Sequence, residues 1–276
     1  MANLIIPSVY GSMAREKMLG RIKVAQLAMP LNLPAFKQVG ETVVFPKFKR
    51  ISSDAEDVKK GTGITVEELG QDSSTAKVMH KGKAIRVYDY DDKTAMGNFI
   101  EEANTQHAQL FAKVLDKELI KEALKTPLKT AVAVDKKITA DELNAGLAMF
   151  GDEQDSEDFA GIVVHSLLIS SLLNMTEFVD AGKTYNQNNA NGIQRNGLLG
   201  FYRNIPVFVS DATMDNNECA TLIIKKNSLA YMMKKDFDIE EEREAKLKAT
   251  DLVADMMFAV KQINDAGVVV LRKTIA

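Results

Sequence analysis

The chain has 276 residues, 46% hydrophobic and 26% charged, which is enough apolar material for one large domain or two small ones. Its 35 Lys and Arg against 38 Asp and Glu give a net charge of −3, and so no long-range field with which the whole molecule could grip nucleic acid. The single cysteine, Cys219, excludes a disulfide within the chain and reads as a small buried apolar residue of a protein kept in a reducing cytosol.

At the N-terminus, Arg15, Glu16, Lys17 and Arg21 stand where a secretory signal needs an uninterrupted apolar stretch. From Ser8 to Met29 the apolar positions Met18, Ile22, Ala25 and Met29 recur at helical spacing until Pro30 and Pro34 stop the pattern. This predicts a short amphipathic arm with little core of its own, which must find its apolar partner elsewhere. Between Glu41 and Tyr88 two strand-like stretches, Thr42 to Phe48 and Ala76 to Tyr88, bracket a polar middle from Lys49 to Lys60 that is followed by Gly61 and Gly63. The pattern predicts a long β-hairpin with a charged tip. Its strands alternate poorly, so neither face is marked for burial within one subunit, and an isolated ribbon is marginal in water. It either lies on another molecule or folds back onto its own domain.

Asp91 and Asp92 offer an N-terminal cap to the strongest helical signal in the chain. Met96, Ile100, Ala103, His107, Leu110 and Val114 step by four and three, and the pattern drifts on through Ile120 and Leu124 to Pro127. Such a helix would be about 50 Å long, overlong for a compact domain of this size. His107 falls on the stripe and reads as a packed neutral imidazole.

The second half alternates helix and strand signals and reads as an α/β unit. Thr139-Ala140-Asp141-Glu142 opens a helix through Phe150, Phe159 to Val164 is a buried strand, and His165 to Asn174 is a leucine-rich helix capped by Ser166. The uncharged run between Asp158 and Glu177 reaches only the minimum length of a membrane span and contains Gly161, His165, Ser170, Ser171 and Asn174, which suits a soluble protein. Gly182 to Gly200 is a long Asn- and Gly-rich loop. Ile205 to Val209 and Ala220 to Ile224 read as central strands separated by a turn through Asp215-Asn216-Asn217. Ile239 to Ile263 is a conflict: the Glu- and Lys-rich run from Glu240 to Leu247 favours helix by propensity, whereas its place before the terminal strand Val268 to Leu271 suits sheet.

No pattern organises a reaction. Gly182-Lys183-Thr184 lacks the earlier glycine of a phosphate loop, Glu177 standing in its place. Gly61-Thr62-Gly63 lacks the third glycine of a dinucleotide site, where Val66 stands. Asp89, Asp91 and Asp92 lack the glycine and the closing glutamate of a calcium loop. His80, His107 and His165 are too few for a metal cluster, and no nucleophile elbow precedes a serine. The expectation is no catalytic residue, no metal and no cofactor.

In order, the parts are an N-terminal arm, a charged hairpin, a long helix ending at a proline and an α/β unit. Within the last, Asn196-Gly197-Leu198-Leu199-Gly200, Ile205-Pro206-Val207-Phe208-Val209-Ser210-Asp211 and Leu222-Ile223-Ile224-Lys225-Lys226-Asn227-Ser228-Leu229-Ala230 follow one another. Glu240 to Arg243, Phe258-Ala259-Val260 and Gly267 to Leu271 complete the series. The chain resembles the major capsid proteins of tailed bacteriophages with the HK97-like fold.

That resemblance implies an α+β subunit with an arm over residues 1–40 and an extended loop over 41–90. A peripheral domain would take 91–130 and 236–276, with Asp91 to Thr126 as its spine helix, and an axial domain 131–235. The C-terminal stretch would return as strands, which decides the conflict near Glu241 in favour of sheet. Asn204 stands where the family often has glycine, and asparagine tolerates the same left-handed backbone. The implied function is self-assembly into pentamers and hexamers of an icosahedral shell around double-stranded DNA, held without sequence-specific contacts. Assembly would use the loop tip, Lys49, Arg50, Asp54, Glu56, Asp57, Lys59 and Lys60, and the arm residues Met18, Ile22 and Met29. Partners would be a scaffolding protein, a portal and a decoration protein, with no membrane. A scaffolding segment found at the start of some relatives is not visible here, so scaffolding would be a separate protein or already removed. The place of action would be the virion capsid, assembled in the host bacterial cytoplasm. The alternatives are an encapsulin-like compartment shell holding a cargo enzyme and, more remotely, a cytosolic α/β enzyme.

Overall fold

The computed structural model describes residues 15–31, 40–48, 57, 66, 68–94, 98–180 and 197–274. Two sheets organise them. The first has four strands in the order β1 (Met29–Pro30), β11 (Leu229–Glu244), β12 (Ala249–Gln262) and β4 (Met79–Tyr88). The conflict around Glu241 resolves as sheet, with β11 and β12 paired antiparallel from Leu229↔Gln262 to Glu244↔Ala249. Helix propensity loses because the strand alternation carries Phe237 and Ile239, with Leu252, Ala254, Met256 and Phe258 of β12, into the core on one face.

The expected hairpin is divided. β2 (Thr42–Phe48) pairs antiparallel with β3 (Gln71–Lys77), from Thr42↔Lys77 to Phe48↔Gln71. Met79–Tyr88, expected to prolong the returning strand, crosses instead to β12, from Met79↔Phe258 to Tyr88↔Ala249. The switch comes at Val78, whose N–H donates to the Glu41 carbonyl at 2.8 Å. β2 also alternates better than its sequence promised: Val43 and Phe45 are buried against Ala230, Met232 and Ala259, and Val44 faces solvent.

The helical region is shorter than expected. Asp89, Asp91 and Asp92 belong to a separate six-residue helix, α1 (Asp89–Thr94). The long helix, α2 (Phe99–Ala123), is capped by Asn98, whose side chain accepts from the Glu101 N–H at 3.2 Å. Its 25 residues span about 37 Å rather than 50 Å. Ala103, His107, Phe111, Leu115, Leu119 and Ala123 form its buried ridge. Leu110, placed on the stripe by its spacing, is 42% exposed, because the larger Phe111 beside it takes the core position. Met96 lies outside the described residues.

The second sheet has seven strands: β13 (Val268–Thr274), β10 (Glu218–Lys225), β5 (Phe159–Val164), β8 (Ile205–Val209), β7 (Leu198–Tyr202) and β6 (Phe178–Asp180), with β9 (Met214–Asp215) on β10. β5 and β8 are parallel and the other pairs antiparallel. Val268–Thr274, expected with the peripheral strands, joins this sheet through β10 instead, where Val268, Val269, Val270 and Leu271 are buried. α3 (Ala140–Ala148) starts at a capping box between Thr139 and Glu142 and packs on β13, and α4 (Ile169–Leu173) follows β5. The cap expected at Ser166 is His165 instead, and it closes the 3-10 turn Ser166–Leu168 that leads into α4: its ring Nδ1 accepts from the Leu167 N–H at 3.2 Å, while α4 itself has no side-chain cap. Asn204 has φ 63°, as its glycine-like place requires, and with Arg203 at φ 48° it makes the tight turn from β7 to β8. Of the Asn- and Gly-rich loop, residues 182–196 lie outside the described residues.

The main core lies between the sheets. α2 buries its ridge against β12 of the first sheet, in one core with Leu222, Ile224, Val268 and Val270 of the second. The far side of the second sheet has its own core of Ile138, Leu143, Leu147, Leu168, Leu172, Tyr202 and Ile223. Among the described residues, no helix is long and apolar enough to cross a membrane.

Candidate assembly interface

The arm was expected to lack a partner inside the subunit, and over residues 15–31 it has one. Met18 and Ile22 are buried in the main core, as are Val24, Ala25 and Leu27, while Met29 is 40% exposed at the start of β1. The anchor is Asp116 of α2. Its carboxylate accepts from the backbone N–H groups of Lys23 at 2.9 Å, Val24 at 3.0 Å and Ala25 at 2.8 Å. Burial pushes this carboxyl above its ordinary value, and the three N–H groups oppose that shift without cancelling it. Sequence reading passed over Asp116. The signal was an aspartate inside an apolar ridge, between Leu115 and Leu119, where an unpaired charge could not stay. Leu19, 48% exposed, lies at a groove of about 340 Å3 between the arm and β11.

The ribbon is likewise seated at its base. Besides the apolar seat of Val43 and Phe45, Lys47 pairs with Asp265, and Lys234 Nζ donates to the Gly40 carbonyl at 2.6 Å. Of the expected tip residues Lys49, Arg50, Asp54, Glu56, Lys59 and Lys60 lie outside the described residues, and Asp57 is exposed. Beyond the base, Val66 is 88% and Leu69 64% exposed.

Beyond the seat of the ribbon on Ala230, Met232 and Ala259, the first sheet has an open face. Opposite the face that packs on α2, β11 presents Asp238, Glu240 and Glu242, and in register β12 presents Asp255, Val253 and Asp251, and β4 presents Gly82, Ala84 and Arg86. Five carboxylates therefore share a surface whose centre is flat, because Gly82 and Ala84 carry little side chain and Val253 is 37% exposed. Their counter-ions are few. Arg86 Nε and Nη2 donate to the two oxygens of Asp251 at 2.7 and 2.6 Å, holding that carboxyl below its usual range. Burial pushes Asp255 up, but Lys235 Nζ at 2.6 Å and His80 Nε2 at 2.9 Å outweigh it and leave the carboxyl depressed. Beyond Tyr231 the outer edge of β11 has no strand partner among the described residues, and neither does the outer edge of β4. Open edges and an open charged face are surfaces on which another chain can dock.

The residues with chemical potential are engaged in packing. His107 is 1% exposed; burial chiefly, with Lys83 nearby, lowers its pKa, which keeps the imidazole neutral at pH 7. Cys219 is buried and its thiol is pushed up by burial, away from the reactive thiolate. Among the described residues no group of three or more His, Cys, Asp or Glu is placed to hold a metal ion.

No family model matches the chain. It is 24% identical over 278 residues to the major capsid protein of Staphylococcus phage phiMR11, covering 99% of this chain and 94% of that protein. Among solved structures, the head of Helicobacter pylori bacteriophage KHP40 matches with a TM-score of 0.66 at 11% identity, over 93% of this chain and 91% of that one. A chain of Mycobacterium phage Che8 matches with a TM-score of 0.61 at 15% identity, over 90% and 89% of the two chains. The likeness to a phage major capsid protein along almost the whole sequence, and the fold shared with phage capsid chains over nine-tenths of the chain, support a structural capsid shell protein with the HK97-like fold.

Proposed function

We propose that copies of this chain close into an icosahedral shell of pentamers and hexamers around a packaged double-stranded DNA genome, and that the chain performs no chemistry. The observation that carries this reading is the first sheet, which among the described residues leaves a charged face and two strand edges open beside a complete core. A monomer gains nothing from that surface, whereas a ring of copies buries it many times over. The loop tip of one copy reaches the open sheet face of the next. Lys49, Arg50, Lys59 and Lys60 supply cations for a face bearing Asp238, Glu240, Glu242, Asp251 and Asp255. Met29 and Leu19 add an apolar contribution from the arm. A scaffolding protein, a portal and a decoration protein complete the partner set, and assembly takes place in the host cytoplasm.

The test is deletion of residues 52–63. The seat at Val43 and Phe45 lies outside the deletion, so the subunit should keep its thermal transition while negative-stain images lose closed particles. Unchanged particles from the shortened chain would refute the role given to the tip.

A further inference from the structure

The net charge of −3 conceals a polarity across the slab formed by α2 and the four-stranded sheet. On the solvent side of α2, Lys113, Lys117, Lys121 and Lys125 follow one another at intervals of four residues, and all four are exposed. Such spacing makes one ridge of the helix, about 18 Å from first to last. Two carboxylates border this ridge, and each is shared by two lysines. Glu118 lies 3.0 Å from Lys121 and 3.6 Å from Lys81, and Glu122 pairs with Lys125 and, at 3.1 Å, with Lys261. The third acid on this stretch, Asp116, points away to hold the arm. Six lysines thus face two carboxylates on one side of the slab, while the opposite side carries the five carboxylates of the open sheet face against Arg86 and Lys235.

We propose that the lysine ridge of α2 forms part of the inner wall of the shell and holds the phosphate backbone of the packaged DNA, with the acidic sheet face turned outward. This rests on the shell reading above. A closed shell gives the slab an inside and an outside, and a polyanionic content is attracted to the basic side and repelled by the acidic one. Over 18 Å of duplex about ten phosphate charges pass, so four extended lysines find partners in any register and at any sequence. The ridge offers no apolar anchor between Lys113 and Lys125 other than the half-buried Val114 and Leu124. A protein partner needs such anchors, whereas a phosphate backbone does not.

Two measurements test the proposal. Binding of a 30-base-pair duplex to the full-length chain, followed by fluorescence anisotropy against salt, should show a log–log slope that falls by about 3.6 when all four lysines become glutamine. Replacing them with arginine should restore the slope. An unchanged slope in the glutamine variant would overturn the proposal, and so would binding of polyglutamate in preference to the duplex, which would assign the ridge to an acidic protein. In assembled particles, a bulky amine reagent excluded by the shell should spare Lys113 and Lys117 until the particles are opened; equal labelling of intact and opened particles would place the ridge outside and overturn it. Failure of the unaltered chain to form particles would instead count against the shell reading, and the salt slope would still decide the role of the ridge.

Discussion

The two sheets spend their residues differently. In the seven-stranded sheet β10 is buried at every position after Glu218, β5 at all but Ala160, and helices and loops cover both faces. In the four-stranded sheet β11 is exposed from Glu240 to Arg243 and β4 is buried only at Val87. The first arrangement is what a self-sufficient core needs. The second carries long strands, whose pairing costs chain entropy, out to a surface that returns little to the single subunit. Where one half of a chain is complete and the other half is over-extended, stability and assembly can be separated by mutation.

The largest effect should come from the complete half. Leu222→Ala removes a fully buried side chain from the core that α2 and β10 share and should cost about 3 kcal/mol, measured by denaturant unfolding. A loss below about 1 kcal/mol would mean that this core is looser than its burial implies. Next is the anchor of the arm. Asp116→Ala strands three backbone N–H groups and should cost about 2 kcal/mol, with hydrogen exchange rising first at residues 23–25. Exchange unchanged there would show that apolar contacts alone hold the arm.

The smallest effect is acidic pH. Asp251 and Asp89, held by Arg86 and Arg243, have depressed carboxyl pKa values in the slab, as Glu218 has beside Arg272 in the other sheet. A depressed carboxylate stabilises the fold fully above the ordinary carboxylate range, near pH 4, and that contribution is lost as pH falls through the depressed value. All three pairs are exposed and screened, so each contributes little. With two of the pairs, the slab should lose exchange protection at residues 86–89 and 249–251 before residues 219–224 of β10 lose theirs. The reverse order, or a simultaneous loss, would erase the distinction between the halves.

Much of the complete half was legible in the sequence. Phe159 to Val164, Ile205 to Val209 and Ala220 to Ile224 are short apolar runs bounded by turn residues, and each is a strand because local pattern and burial agree. The Thr139 and Glu142 box was readable because its chemistry is confined to a few neighbouring residues, whereas the left-handed Asn204 was expected from the family resemblance. The over-extended half was read less well. Lys- and Glu-rich strands do not announce their pairing, so the departure of Met79–Tyr88 to β12 and the seat of β2 were invisible, and the acidic sheet face was defined only once β11 and β12 paired in register with β4 beside them.

The sequence by itself determined the class of fold, the order of its parts and the absence of any recognisable reaction pattern, because these follow from periodicity, turn chemistry and family resemblance. Tertiary structure alone decided which strand joined which sheet, that the arm is held by Asp116, and that opposite charges sort to opposite sides of one slab. The Asp116 anchor joins residues 91 to 93 positions apart and the β4–β12 pairing residues 161 to 179 apart, and a one-dimensional pattern carries no information about distance across the fold.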